Sequence, residues 1–145
     1  MIEGVSIYPL KHIKVPKGDI FHAFKSTDEN YKGFGEVYFS LIKPNQVKGW
    51  KRHNRYVLNL FVVFGHIKFV IYDDREGSIT KGQFQEITLS MEDNYQRLTI
   101  SPGLWMAFAS VDIKNSMLMD IIPDLHDPDE SDRKDIDEIP YKFNL

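Results

Sequence analysis

The residues best suited to acid–base chemistry lie in one short segment, where a single arginine separates Lys51 from His53. Histidine titrates near neutral pH, so its neutral form can accept a proton under physiological conditions. If the segment is extended, the two side chains share a face, and the ammonium group lowers the imidazole pKa and stabilises developing negative charge. The pair could therefore remove a weakly acidic C–H proton. The alternative is an exposed histidine in a basic surface turn.

A second candidate, Asp120, lies within the apolar segment Met117–Ile122. Burying an unpaired carboxylate is costly, so an acid at such a position needs a partner or a function. Asp120 could face inward and orient His53 or relay a proton. It could equally lie on an outward-facing edge or form a structural ion pair with an arginine or lysine.

A basic cluster surrounds the histidine, in a chain whose formal net charge is -3. The cluster could bind a diphosphate, with arginine supplying paired hydrogen bonds, or it could be a solvated turn. Trp50 and Tyr56 flank it and could stack on a nucleobase, although packing in the core is the more usual role of such side chains. The four cationic residues are Lys48, Lys51, Arg52 and Arg55.

Glu36, Tyr38 and Ser40 share one face of a predicted strand, because successive side chains of a strand point to opposite faces. That face could line a binding pocket or face the solvent. We favour the solvent side, which predicts that the intervening apolar side chains lie in the core. These apolar residues are Val37, Phe39 and Leu41.

The elements that position these residues are predicted to be strands. Runs of β-branched and aromatic residues, separated by turn residues at intervals of roughly 8–12 positions, are typical of a sandwich or barrel. No stretch shows helical periodicity over three turns, and the segment 14–31 is expected to be a loop with a short strand. The predicted strands are 36–42, 56–64, 66–72, 84–89, 97–100, 105–109 and 116–122.

Length and composition limit the class of protein. A chain of 145 residues with 42% hydrophobic residues fits one domain, 1–145, with a sizeable core. The net charge excludes a general binder of nucleic acids or anionic membranes. There is no cysteine, no visible signal peptide and no apolar run of roughly 20 residues. We therefore expect a cytoplasmic protein with no nucleic-acid or membrane partner.

The composition changes near the C-terminus, where eight of the fifteen residues 124–138 are Asp or Glu. This pattern predicts a solvated acidic arm within about residues 124–145. The segment 139–143, Ile-Pro-Tyr-Lys-Phe, is apolar enough to dock back onto the body of the domain.

Three segments carry a more specific signal when they are read in order. They are KGWKRH at 48–53, GHIKFVIYDDR at 65–75, and the stretch 89–108, which begins with Leu-Ser and ends with Ser-Pro-Gly-Leu-Trp-Met-Ala-Phe. This order resembles the cupins related to dTDP-4-dehydrorhamnose 3,5-epimerase, which carry Arg-Gly-x-His, a strand ending in Asp-x-Arg, a Leu-Ser turn and a Pro-Gly-x-x-x-Gly-Phe turn. The resemblance covers roughly residues 15 to 130.

The resemblance implies an all-β cupin jelly roll (double-stranded β-helix) that is homodimeric and has no metal or redox cofactor. It implies a nucleotide-diphosphate sugar as ligand. In the family pattern the catalytic histidine stands at Lys51, and His53 matches the second histidine of the related sugar 3,4-ketoisomerases. Metal-binding cupins supply two histidines in His-x-His spacing, so Lys51 also argues against a metal site.

Other family residues are replaced in this chain. The lysine of the epimerases falls near Leu58 or Asn59, and their tyrosine falls near Met119 or Asp120. Their second histidine is replaced by Met106. The resemblance therefore implies a retained binding fold with an altered active site.

Three functions remain open on this basis. The first is a nucleotide-sugar epimerase that acts on a dTDP-linked or other NDP-linked 4-keto-6-deoxyhexose in surface polysaccharide biosynthesis. The second is a 3,4-ketoisomerase, which can return the proton along the same face and needs only one base, such as His53. The third is a non-catalytic cupin that binds a sugar or regulates a partner.

Overall fold

The computed structural model describes residues 1–145 and consists almost entirely of antiparallel strands. Two short 3-10 helices, Pro128–Glu130 and Ile136–Glu138, are the only helical elements, and neither is long enough to cross a membrane. The strands are β1 (Val5–Pro9), β2 (His12–Ile13), β3 (Ile20–Phe21), β4 (Glu36–Ile42), β5 (Val47–His53), β6 (Leu58–Phe64), β7 (His66–Tyr72), β8 (Phe84–Ser90), β9 (Gln96–Ile100), β10 (Trp105–Ser110), β11 (Ser116–Ile122) and β12 (Ser131–Arg133).

Two five-stranded sheets form the body of the molecule, and β2 and β3 make a separate hairpin. The first sheet has the order β1-β9-β6-β11-β4 and the second the order β12-β5-β10-β7-β8. Inward side chains of both sheets, such as Leu60 and Leu118 from the first and Phe69 and Met106 from the second, form one apolar cluster. The predicted all-β jelly roll is confirmed.

The apolar strands agree closely with their prediction, since β4, β7 and β11 have the predicted bounds. Strand β5, which carries His53, is not among the predicted strands. Its Gly49 and its charged side chains lower its β propensity. It is a strand because β10 and β12 pair with it on either side.

The orientation of β4 is the reverse of the predicted one. Tyr38 faces inward, whereas Phe39 is 57% exposed and its neighbours Val37 and Leu41 are exposed as well. The physical reason is that β4 is an edge strand whose inner face borders a cavity, so its polar side chains belong on that face. The expectation that Val37, Phe39 and Leu41 lie in the core is wrong.

The C-terminal segment is part of the folded body. Strand β12 pairs with β5, Glu130 is 1% exposed and Ile139 is buried against Trp50. The predicted solvated arm is therefore wrong for the stretch that includes Glu130 and β12. The predicted docking of the final apolar segment is confirmed, because Tyr141 packs edge-on against Trp50.

Candidate functional site

A cavity of about 450 Å³ lies between the two sheets, within the size range of small-molecule sites. Its apolar lining includes Leu58, Met106 and Leu118, from β6, β10 and β11. Most of the residues singled out from the sequence meet at its polar lining: Glu36 and Tyr38 from β4, Lys48, Lys51 and His53 from β5, and Asp120 from β11.

His53 is held by a buried carboxylate that sequence reasoning missed. The imidazole Nδ1 and Glu130 Oε1 are 2.5 Å apart, and Glu130 Oε2 accepts hydrogen bonds from the backbone N–H groups of Asn54, Arg55 and Tyr56 at 3.0, 2.9 and 3.1 Å. A carboxylate with this set of donors needs a proton on Nδ1. The free Nε2 is then the acceptor that His53 offers to the cavity.

The charges and burial around the His53–Glu130 pair favour a neutral His53 that can act as a base. Burial lowers the pKa of His53, and Lys51 lowers it further, while Glu130 opposes both effects. Burial alone would raise the pKa of Glu130, but hydrogen bonds from the Arg55 backbone and from His53 outweigh it, so the pKa lies below its usual value. At neutral pH, Glu130 is therefore ionised and His53 is neutral.

Asp120 faces inward, so neither an outward edge position nor a structural ion pair describes it. Its side chain is buried at the cavity wall, and its Oδ1 has no hydrogen-bond partner. Burial raises its pKa to about 6, against the opposing effects of Tyr38 and Lys51. The hypothesis that Asp120 orients His53 is wrong, because Glu130 occupies that position.

Three cations surround the mouth and wall of the cavity. Lys48 and Lys51 come from β5, and Arg133 comes from β12, where it lies directly across from Lys51. Burial, and then the charge of Arg133, lower the pKa of Lys51. Part of the predicted basic cluster thus reaches the cavity, together with an arginine that the sequence did not single out.

Three predicted binding residues lie elsewhere. Arg52 points to the outer face of β5 and pairs with Asp132 at 2.7 Å, while Arg55 pairs with Asp127 at 3.2 Å. Trp50 is buried among apolar side chains of the C-terminal segment. The assignment of Arg52, Arg55 and Trp50 to the pocket is wrong, because alternation from Trp50 onward and the turn after β5 direct them away from the cavity. Lys48 still faces the cavity, because the pairing of β5 with β10 shifts register between Lys48 and Lys51.

No family model matches the chain. The chain is 30% identical over 142 residues to the probable low-salt glycan biosynthesis epimerase Agl13 of Haloferax volcanii, covering 97% of this chain and 88% of the relative. It is 34% identical to the solved dTDP sugar isomerase of Desulfovibrio desulfuricans, with a TM-score of 0.93 and coverage of 97% and 91%. The chain belongs to the cupin family of dTDP-4-dehydrorhamnose 3,5-epimerase.

A further relative of this epimerase-related family is the spore coat polysaccharide biosynthesis protein SpsL of Bacillus subtilis. It is 26% identical over 146 residues, which are 99% of this chain and 96% of the relative. The similarity therefore extends along the whole chain and includes the C-terminal segment that supplies Glu130.

Two residues at which the sequence departs from the family pattern, Met106 and Asp120, both line this cavity. Glu130 and Arg133 carry no local signal, because they are two of many charged residues in the acidic stretch. Glu130 differs from the other charged residues of this stretch by its burial, and Arg133 by its pairing with β5.

Proposed function

We propose that this chain is an enzyme of the isomerase class that acts on a nucleoside diphosphate-linked 4-keto-6-deoxyhexose, with dTDP as the first candidate nucleotide. The observation that carries the proposal is the His53–Glu130 pair, which presents a neutral imidazole to a cavity lined by a cationic lysine. The relatives named as a glycan biosynthesis epimerase and a dTDP sugar isomerase support the same reaction class.

The first chemical step is removal of a proton from a carbon next to the ketone. His53 Nε2 takes that proton, while Glu130 holds the ring and stabilises the imidazolium that forms. Lys51, two positions away on the same face of β5, stabilises the enolate oxygen with its positive charge. Both functions come from one strand, so their relative position is set by the backbone.

The nucleotide diphosphate binds next to this pair. Lys48 and Arg133 add positive charge to the lining of the cavity, and neither forms an ion pair with an acidic side chain. An arginine can bind phosphate oxygens through two parallel hydrogen bonds, whereas a lysine acts as a point charge. The sugar then lies deeper, between the two sheets.

The enzyme acts as a homodimer that buries the outer face of β4. This face presents Val37, Phe39 and Leu41 to solvent on an edge strand, next to Met117 and Met119 of β11. An apolar, unpaired edge of this kind promotes association unless another surface covers it. A second copy of the chain provides a matching surface by two-fold symmetry.

The decisive experiment measures deuterium wash-in from heavy water at C3 and C5 of dTDP-4-keto-6-deoxyglucose and related sugars. The wild-type protein incorporates deuterium at one or both carbons. His53→Asn lowers the rate by a factor of roughly 10²–10⁴, the usual contribution of a general base, and changes the affinity for dTDP little. His22→Asn, an exposed histidine outside the cavity, is the matched control and retains the wild-type rate.

Two results would overturn the proposal. One is the absence of wash-in for the wild-type protein across the panel of nucleotide sugars. The other is wash-in by His53→Asn at the wild-type rate, which would place the base elsewhere.

A further inference from the structure

We propose that Asp120 is a second catalytic residue, which protonates the reacting carbon on the face opposite His53, so that the enzyme inverts that carbon. This assignment rests on the proposed function, since it needs His53 to form the enolate. It adds the source of the second proton and therefore the stereochemical outcome.

The two residues come from opposite walls of the same cavity. His53 lies on β5 of one sheet and Asp120 on β11 of the other, and both line the 450 Å³ space between the sheets. A sugar ring that enters this space has the imidazole on one side and the carboxyl group on the other. Inversion of a carbon requires this arrangement, because the proton must leave from one face and arrive at the other.

Asp120 has a free hydrogen-bond acceptor that a bound ligand could use. Its Oδ1 is buried and has no partner, although nearly all buried polar atoms in proteins are hydrogen-bonded. No ion pair explains its position among the apolar residues of β11. An unpartnered carboxyl oxygen at the wall of a ligand-sized cavity is readily satisfied by a bound substrate.

The groups that face Asp120 keep it usable as an acid near neutral pH. Tyr38 of β4 lies directly across from it, and Lys51 reaches toward it from β5. Burial, which exceeds the effects of both neighbours, raises the Asp120 pKa to about 6. Burial and the Asp120 charge raise the pKa of Tyr38, so its phenol stays protonated. Tyr38 is thus a positioning residue that stabilises the carboxylate left after proton transfer.

The proton and electron balance closes without any further reactant. His53 takes the C–H proton, the C–H electron pair forms the carbon–carbon double bond of the enolate, and the ketone oxygen becomes negative beside Lys51. The enolate oxygen then re-forms the carbonyl, and the double-bond electrons take the proton of Asp120 on the opposite face. His53 is left as imidazolium and Asp120 as carboxylate, and exchange with water transfers a proton from one to the other.

The test separates proton removal from inversion. Asp120→Asn keeps the size of the side chain but has no acidic proton, so wash-in through His53 persists while the deuterium enters with retained configuration. We expect formation of the inverted epimer to fall by a factor of roughly 10²–10⁴, the usual contribution of a general acid. Tyr38→Phe slows inversion less and shifts its pH profile, because the carboxyl group loses a stabilising neighbour.

The outcomes are distinguishable. If the wild-type protein shows no wash-in, the proposed function fails. If Asp120→Asn still inverts the carbon at the wild-type rate, or if it loses wash-in and inversion together while binding dTDP normally, the role assigned to Asp120 is wrong. Wild-type protein that exchanges deuterium without inversion would also overturn it and would favour a same-face ketoisomerase. Asp120→Ser provides the same test if the asparagine variant does not fold.

Discussion

His53 and Glu130 are 77 positions apart in the chain, yet His53 Nδ1 and Glu130 Oε1 are separated by 2.5 Å. The pair is buried, and the second oxygen of Glu130 accepts three backbone hydrogen bonds from the turn that follows His53. One carboxylate thereby sets both the ring orientation and the end of the strand that carries the ring. The acidic C-terminal stretch is consequently a component of the site.

Glu130→Gln is expected to lower turnover and to move the acidic limb of the pH–rate profile to lower pH. The carboxylate raises the pKa of His53, so a neutral amide in its place lets the imidazole stay neutral to lower pH. The amide also presents a donor to groups that are themselves donors, which costs about 1–3 kcal/mol of stability. Kinetics across pH and urea unfolding measure the two effects.

The control for Glu130→Gln is Asp129→Asn, which changes an exposed neighbouring acid and should leave the pH profile unchanged. A profile for Glu130→Gln that keeps the wild-type acidic limb would contradict the role of Glu130 in setting the His53 pKa.

Lys48→Ala and Arg133→Ala are each expected to weaken dTDP binding by about tenfold, which corresponds to loss of about 1.4 kcal/mol. Both side chains line the cavity as unpaired cations. The loss should shrink as salt rises, because ions already screen the attraction. Isothermal titration calorimetry at low and high salt measures it.

Arg55→Ala is the matched control for the two cavity cations. Its guanidinium pairs with Asp127 at 3.2 Å outside the cavity, so dTDP affinity should stay within about twofold of wild type. If Arg55→Ala weakens binding as much as Arg133→Ala, the diphosphate binds at a different place.

If the proposed homodimer forms through the apolar outer face of β4, Phe39→Glu is expected to make the protein monomeric, since it introduces a charge into that face. Light scattering at micromolar concentration gives the mass directly. Ile113→Glu alters a side chain that is 90% exposed and lies outside β4 and β11, so that variant should remain dimeric. A wild-type monomer, or a dimer that tolerates Phe39→Glu, would refute the proposed interface.

Asp120→Asn should stabilise the protein at pH 8 but not at pH 4. The folded-state pKa of Asp120 is raised from 3.8 to about 6, so the folded protein holds the proton more tightly than the unfolded chain does. The wild type therefore loses stability as pH rises through this window, by up to about 3 kcal/mol, and the neutral amide avoids that loss. Urea unfolding at both pH values tests this, and a stability difference that is independent of pH would contradict it.

The sequence by itself determined the apolar strands and the order of motifs, and it singled out His53, which the structure places at the cavity wall. Strand composition and turn residues are local properties, so β7 and β11 could be delimited from the chain alone. Replacement of the family's second histidine by Met106 could likewise be read directly from the motif in which it lies.

Only the tertiary structure decided which face of each strand meets the cavity and which distant residues complete the site. The alternating pattern of β4 defines two faces but does not say which one points inward. If the interior were a filled core, the apolar face would point inward. Because the interior holds a cavity at this point, the polar face points inward, and composition alone predicted the opposite. The residues around Glu130 in the sequence also gave no indication that it is the partner of His53. Glu130 is one of eight acids in fifteen residues, and it is singled out only because β12 pairs with β5 and buries its carboxylate beside the imidazole.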